Sequence, residues 1–283
     1  MPGLGEMAAQ FAEGPAVRMA LAIATAELRD AGCDTPRLDA ELLLADAMAT
    51  TRTQLHLAPE RELTLAESDR FAELLRRRRA REPVAYLLGT RAFRHIELRI
   101  DERVLVPRPE SEGLVETGLT LPRGARVVDV GTGSGAVALA LKDERGDLDV
   151  TGTDASPDAL VVARANAARL GLDVRFREAD LLDGAGEVDA VLSNPPYVED
   201  GTPLQPEIER HEPPVALYAG GDGLAVIRRL AAEAGASAAR LLALEVGMGQ
   251  AAEVAAVLRD AGFATTDTWR DLAGIERVVV GRR

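Results

Sequence analysis

The chain of 283 residues contains a single cysteine, Cys33. That excludes a disulfide framework and any metal site built on thiolates. Histidine is nearly as scarce: His56, His95 and His211 lie far apart and show no metal-ligand spacing, so no metal is expected. No apolar run reaches the roughly 20 residues that a membrane span requires. The stretch Ala16–Ala26 is the nearest thing to a secretory signal core. Residues 1–14, however, carry Glu6 and Glu13 and no lysine or arginine, and Arg18 interrupts the apolar run. Positive charge is also short, with 33 Lys+Arg against 46 Asp+Glu and a net charge of −13. Gripping a phosphate backbone needs local density of basic side chains, so direct nucleic-acid binding is disfavoured. A basic protein partner suits such a surface better. Internal repeats and low-complexity tracts are absent. These absences leave a protein expected in a reducing, cytoplasmic setting, acting neither on a membrane nor directly on nucleic acid.

What is present is ample apolar material: at 47% hydrophobic, the chain can bury one large core or two modest ones. Residues 1–14 read as a loose terminus. From Pro15 to about Arg81 the pattern is helical. Val17, Leu21, Ala24 and Leu28 share one face, and Gly32 stops the run. Thr35-Pro36 caps a second helix with Leu38, Leu42 and Ala45 expected inward. Thr64 with Glu67 forms a capping box for a third. That helix ends in Arg76–Arg79, a solvated, dipole-favoured end or a docking patch for a partner. Pro83 closes the helical part, giving a domain over 1–82. Tyr86–Val106 alternates loosely around Gly89 and reads as a β-hairpin, making 83–108 a linker. From Arg126 strands and helices alternate. Strands are expected near 126–130, 149–153, 173–177, 188–193, 240–246, 263–268 and 275–280. Helices are expected near 136–143, 157–170, 222–234 and 250–261. This rhythm predicts an α/β domain over 109–283 with a mostly parallel sheet covered on both faces.

Two stretches carry chemistry. In the first, Val127-Val-Asp-Val-Gly131-Thr-Gly-Ser-Gly135, a strand runs through a glycine-rich turn into an apolar helix. Glycines let a ligand approach the backbone, and the helix start adds partial positive charge. The spacing is not the G-x-G-x-x-G of dinucleotide binders. Asp154 ends the next strand, where a carboxylate can accept both hydroxyls of a ribose; helix capping is the plainer alternative. Asp180-Leu181 ends the third strand, where an adenine can lie. Ser134 is no nucleophile elbow, because the outer glycine of G-x-S-x-G is missing. The second stretch is Val188-Asp-Ala-Val-Leu-Ser-Asn-Pro-Pro-Tyr197, a buried strand broken by prolines. Proline supplies no N–H and stiffens its predecessor, so Asn194, the Pro195 carbonyl and the Tyr197 ring form a rigid rim. Two acceptor oxygens and an aromatic face can hold a planar NH2 group. A ribose-binding acid suits either NAD or S-adenosylmethionine. Hydride transfer has no use for such a clamp, whereas methylation of an amide or exocyclic amine does. No histidine sits in these motifs, so no general base is evident, and His211 reads as a surface loop residue.

Gly131–Gly135, Asp154 and Ser193-Asn-Pro-Pro-Tyr197 resemble the amino-methylating class I S-adenosylmethionine-dependent methyltransferases. Pro83-Val-Ala-Tyr-Leu-Leu-Gly89, Val104-Leu-Val-Pro-Arg-Pro-Glu-Ser-Glu112, Glu212-Pro-Pro-Val-Ala-Leu217, Gly220-Gly-Asp-Gly-Leu224 and Asp271-Leu-Ala-Gly274 with Arg277 narrow the likeness. From about residue 83 onward the chain is similar to the release-factor glutamine methyltransferases, the HemK/PrmC family. The resemblance implies a small all-α N-terminal domain that docks substrate, a β-hairpin linker and a seven-stranded Rossmann-like methyltransferase domain. It implies methylation of the glutamine side-chain amide in the Gly-Gly-Gln loop of peptide chain release factors, with S-adenosylhomocysteine as product. On that basis Gly131, Thr132, Gly133, Ser134, Gly135, Asp154, Asp180, Leu181 and Asn194 are expected at the cofactor. Asn194, Pro195, Pro196 and Tyr197 are expected at the substrate, with Asn194, Pro195 and Tyr197 catalytic. Two departures stand out: Ser111 where the family usually has threonine, and His95 where its hairpin usually has glycine. The alternatives are a glutamine methyltransferase of a ribosomal protein, an adenine-N6 nucleic-acid methyltransferase and a non-catalytic cofactor-binding scaffold.

Overall fold

A computed structural model describes residues 14–283. The loose terminus expected over 1–14, and the charges weighed there against a signal segment, therefore lie almost wholly outside the described residues. The chain divides into two compact units.

The first unit holds the described residues up to Gly89 together with Gln205–His211. Its helices are α1 (Val17–Asp30), α2 (Pro36–Ala47), α3 (Arg52–Leu57), α4 (Leu65–Arg79) and α5 (Val84–Leu88), joined by α9 (Pro206–His211) from far along the sequence. Thr64 and Glu67 form the expected capping box at the start of α4. Val17, Leu21, Ala24 and Leu28 are buried as anticipated. Helix α2 is rotated from expectation. Ala45 is buried as expected, but Leu38 is exposed and Leu42 only half-buried, while Ala40, Leu43, Leu44 and Ala47 face the core. The reason is polar: Asp39 is buried and accepts from Arg78 Nε at 2.7 Å, which turns the 39/43 stripe inward. Arg78 is itself buried, and its guanidinium also reaches Glu207 Oε1 (2.8 Å) and the Glu82 carbonyl (3.1 Å). Arg81 adds a contact to Glu207 Oε2 at 2.6 Å. The basic run is thus ion-paired within its own unit. Arg76 pairs with Glu73, Arg77 with Glu82 and Arg79 with Glu27. The buried Asp39 and the half-buried Glu207 around one buried guanidinium satisfy the rule that interior charges must be paired.

The expected hairpin begins later than the sequence suggested. Tyr86–Leu88 belongs to α5, and Gly89, at φ 69°, ends that helix in the left-handed region where glycine carries no steric penalty. The paired strands are β1 (Thr90–Phe93) and β2 (Ile96–Arg99), with Phe93 opposite Ile96. At the turn between them Arg94 takes the positive φ of 49°, not His95. His95 thus needs no glycine-like conformation. The strain at Arg94 is offset by pairing with Glu116 and Glu144.

The second unit spans Thr90–Leu204 and Glu212–Arg283. After a 3₁₀ turn (Pro109–Ser111) come α6 (Glu112–Leu119), β3 (Arg126–Val130), α7 (Ala136–Glu144), β4 (Asp149–Asp154), α8 (Pro157–Leu170), β5 (Arg175–Glu178) and β6 (Ala190–Ser193). The unit ends with α10 (Ala225–Ala236), β7 (Leu241–Glu245), α11 (Ala251–Asp260), β8 (Thr265–Arg270) and β9 (Glu276–Arg282). All seven strands fall within a couple of residues of expectation and form one sheet in the order β5-β4-β3-β6-β7-β9-β8. Five strands run parallel, and β9 is antiparallel to both β7 and β8. Strands β3, β6 and β7 are almost wholly buried, as apolar strands covered on both faces must be. The order reverses between β3 and β6, and a crevice opens at such a switch point beyond the carboxyl ends of the strands.

Candidate active site

The glycine turn leaves β3 at that crevice. Gly131, Gly133 and Gly135 have φ of 69°, 54° and 83°, so side chains are strained at all three positions. A Cβ on Gly133 would meet nothing within 4 Å, which leaves the middle of the turn open to a ligand. Thr132 and Ser134 are buried side chains, so their backbone is what the turn presents. Behind it stands Asp129, which sequence reasoning passed over. Its Oδ2 accepts from Thr132 Oγ1 at 2.6 Å and from the Ala138 amide at 3.2 Å, tying the turn to the start of α7. Complete burial pushes the Asp129 carboxyl up to about 7, against the pull of those two bonds. From α8, Asn166 donates to the Ser134 carbonyl at 3.0 Å and exchanges two hydrogen bonds with the Arg99 backbone.

Asp154 ends β4 as expected. Its Oδ2 accepts from the Gly133 amide and its Oδ1 from the Ser156 amide, both at 2.9 Å. Burial raises its pKa and the backbone amides oppose the shift. Each carboxylate oxygen keeps a further lone pair for a hydroxyl. Ser156 caps α8 through the Ala159 amide, so the capping role belongs to Ser156 rather than Asp154. Leu181 is buried at φ 52°, with its carbonyl taken by Thr153 Oγ1. The Asp180 carboxylate is turned to Arg229 at 2.7 Å on the surface.

The rim lies across the crevice. Ser193 Oγ donates to the Val130 carbonyl at 2.7 Å, locking the ends of β6 and β3 together. A Cβ on Gly131 would stand 3.9 Å from the Asn194 carbonyl oxygen, so turn and rim are neighbours. Pro195 is buried, while Asn194, Pro196 and Tyr197 are half-buried. Asn194 Nδ2 donates to Ser111 Oγ at 3.1 Å, and Ser111 Oγ donates to Glu245 Oε2 at 2.5 Å. The Tyr197 hydroxyl donates to Glu245 Oε1 at 3.3 Å, and Gln250 Nε2 holds the Tyr197 carbonyl at 3.0 Å. Glu245 ends β7, one residue beyond the register pair Ser193–Leu244, and this places it beside Asn194. Burial pushes its carboxyl up to about 7; the Ser111 bond opposes this and the Glu110 charge adds to it. The Tyr197 hydroxyl is likewise pushed up by burial and by the Glu245 charge. Arg108 reaches Glu212 Oε1 at 2.5 Å, and Arg277 is held by Asp271 at 2.9 Å. His211 ends α9 in the other unit. Chain order hid the roles of Glu245 and Ser111, which lie 134 residues apart. The only sequence signal for Glu245 is an acid closing an apolar strand.

Comparison with known proteins places the chain in a family. Residues 19–89 match the PrmC N-terminal domain and residues 110–230 the Methyltransferase small domain. A release factor glutamine methyltransferase of Deinococcus radiodurans is 43% identical over 275 residues, covering 94% of this chain and 98% of its own. The chain belongs to the release factor glutamine methyltransferase family. Another member, from Caulobacter vibrioides, is 41% identical over 265 residues, covering 90% of this chain and 92% of its own. A methyltransferase structure from Pyrococcus furiosus superposes with a TM-score of 0.51 at 18% identity, over 65% of this chain and 87% of that one. That likeness supports the class I fold alone. As a member of the family the protein is a methyltransferase, and Ser111 keeps the hydroxyl that threonine would bring to this network.

Proposed function

We propose that the protein transfers a methyl group from S-adenosylmethionine to the side-chain amide nitrogen of the glutamine in the Gly-Gly-Gln loop of peptide chain release factors. The observation that carries this reading is the stiff Asn194-Pro195-Pro196-Tyr197 rim set against the open glycine turn. The relatives' names point to a glutamine of release factors as substrate. The residues present suit the cofactor: a turn open at Gly133, and an Asp154 carboxylate with lone pairs left for ribose hydroxyls. When bound, the cofactor supplies a methyl group already activated on a sulfonium sulfur. Gly131, Gly133 and Gly135 would meet it through backbone, as would Thr132, Ser134 and Leu181, with Asp154 on the ribose. Asp180, paired with Arg229, would reach the adenine only by leaving that partner.

The remaining work falls to the rim. An amide nitrogen is a poor nucleophile because its lone pair is delocalised into the carbonyl. The Asn194 Oδ1 and the Pro195 carbonyl accept its two protons, which orients the nitrogen and favours its pyramidalisation. Orientation of this kind can contribute on the order of 7–11 kcal/mol. Tyr197, fixed from behind by Glu245, supplies a wall that excludes water from the amide. The helical unit offers a remote surface for the folded partner.

The test is incubation of the protein with labelled cofactor and a folded release factor, with the modified residue located by peptide mass spectrometry. A methyl group on the Gly-Gly-Gln glutamine is expected. Label on a ribosomal-protein glutamine alone, or on adenine, would replace this substrate by another.

A further inference from the structure

An asparagine amide has two faces of opposite character, and the clamp works with only one of them. If Asn194 presented its NH2 to an incoming NH2, donors would oppose donors. What selects the face lies behind the residue. Ser111 is buried, and its single hydroxyl proton goes to Glu245 Oε2 at 2.5 Å. Its oxygen is therefore left as an acceptor, and Asn194 Nδ2 fills it at 3.1 Å. An ionised carboxylate only accepts, so a chain ending on one has a single permitted direction: Asn194 N–H to Ser111, Ser111 O–H to Glu245. The Tyr197 hydroxyl points at the same carboxylate and obeys the same rule.

We propose that Glu245, acting through Ser111, is the positioning residue that fixes the polarity of the clamp, holding Asn194 with its carbonyl oxygen toward the substrate amide. The inference rests on the amide-accepting role assigned to Asn194 above. It carries a consequence for pH. A protonated Glu245 can donate to Ser111 Oγ, whose own proton then turns to Asn194 and favours the flipped amide. The groups facing Glu245 are Ser111 and Glu110 from the 3₁₀ turn, Tyr197 from the rim and Arg277 from β9. Burial and the Glu110 charge favour the proton, whereas Ser111, Tyr197 and Arg277 favour the carboxylate, and the balance falls at about 7. Turnover therefore falls as the pH drops through this value.

Two measurements on the full-length protein test this. The first is steady-state methylation of a folded release factor between pH 6 and 9. Ser111→Ala should lower kcat by roughly tenfold or more while leaving KM and cofactor affinity within about twofold, since one orienting hydrogen bond is lost. Ser111→Thr should recover most of that loss, and Glu245→Gln should abolish the limb near neutral pH. The second needs no substrate: the side-chain amide signals of Asn194, followed by NMR in labelled protein. They should respond to titration through neutral pH in the wild type and not in Glu245→Gln. Undiminished kcat in Ser111→Ala would overturn the proposal, as would Asn194 amide signals that ignore the titration, even in an enzyme that methylates release factors well.

Discussion

The two halves of the site are each braced by a buried carboxylate, yet the two braces support different things. Asp129 behind the glycine turn holds its own neighbourhood: the Thr132 hydroxyl three residues away and the Ala138 amide nine residues away, both on adjoining chain. Glu245 behind the rim holds side chains: Ser111 and Tyr197, which converge from distant parts of the sequence. Burial pushes both acids up to about 7. On the proposed function a cofactor would be met by a local turn, which neighbouring residues suffice to stiffen. A substrate amide would be met by oriented side chains, and those are supported from a strand end, a 3₁₀ turn and the rim together.

Asn194→Ala probes the rim most severely. Loss of an oriented acceptor at the reacting atom should lower kcat by about 10²–10³, the scale seen when a transition-state hydrogen bond is removed. Cofactor affinity, read by calorimetry, should change far less. The converse variant, Asp154→Ala, should weaken binding of S-adenosylhomocysteine by roughly 10–100-fold through loss of charge-assisted hydrogen bonds, with a smaller effect on kcat at saturation. If both variants shifted the same parameter, the division of labour between the halves would fail. Asp129→Asn sharpens the contrast through stability. The folded carboxyl titrates at about 7, above the ordinary 3.8. Its contribution is therefore fully present below 3.8 and lost as pH rises through 7. Relative to wild type, Asp129→Asn should gain on the order of 2–4 kcal/mol between pH 4.5 and pH 8, by urea unfolding. A constant difference across that range would contradict the assignment.

The fold was legible because its cues are local. Apolar runs marked the central strands β3, β6 and β7, the alternation with helices placed the more polar β5 and β8, and the Thr64–Glu67 box marked α4. That the glycine turn, Asp154 and the rim stand at strand ends was legible for the same reason: proline and glycine leave an imprint at fixed spacing. What escaped was long-range polar pairing. The face of α2 followed Asp39, whose partner Arg78 lies 39 residues on, so a hydrophobic count placed Leu38 inward when it faces out. Within the Arg76–Arg79 run, the burial of Arg78 escaped because its acidic partners, Asp39 and Glu207, are not near it in sequence. For the same reason Gln205–His211 looked like part of the catalytic domain but belongs to the helical unit. Removing residues 1–82 would take away Arg78 and Arg81 and leave Glu207 without its guanidinium partners, so such a truncation alters more than docking.

The central claim is that the rim accepts two N–H protons from its target. It is tested most directly by comparing methyl-transfer rates for a folded release factor and for the same factor with the Gly-Gly-Gln glutamine changed to glutamate. A site built around hydrogen bonds to a substrate NH2 should discriminate against the analogue by roughly 10⁴–10⁵. Comparable rates for the two factors would contradict the account.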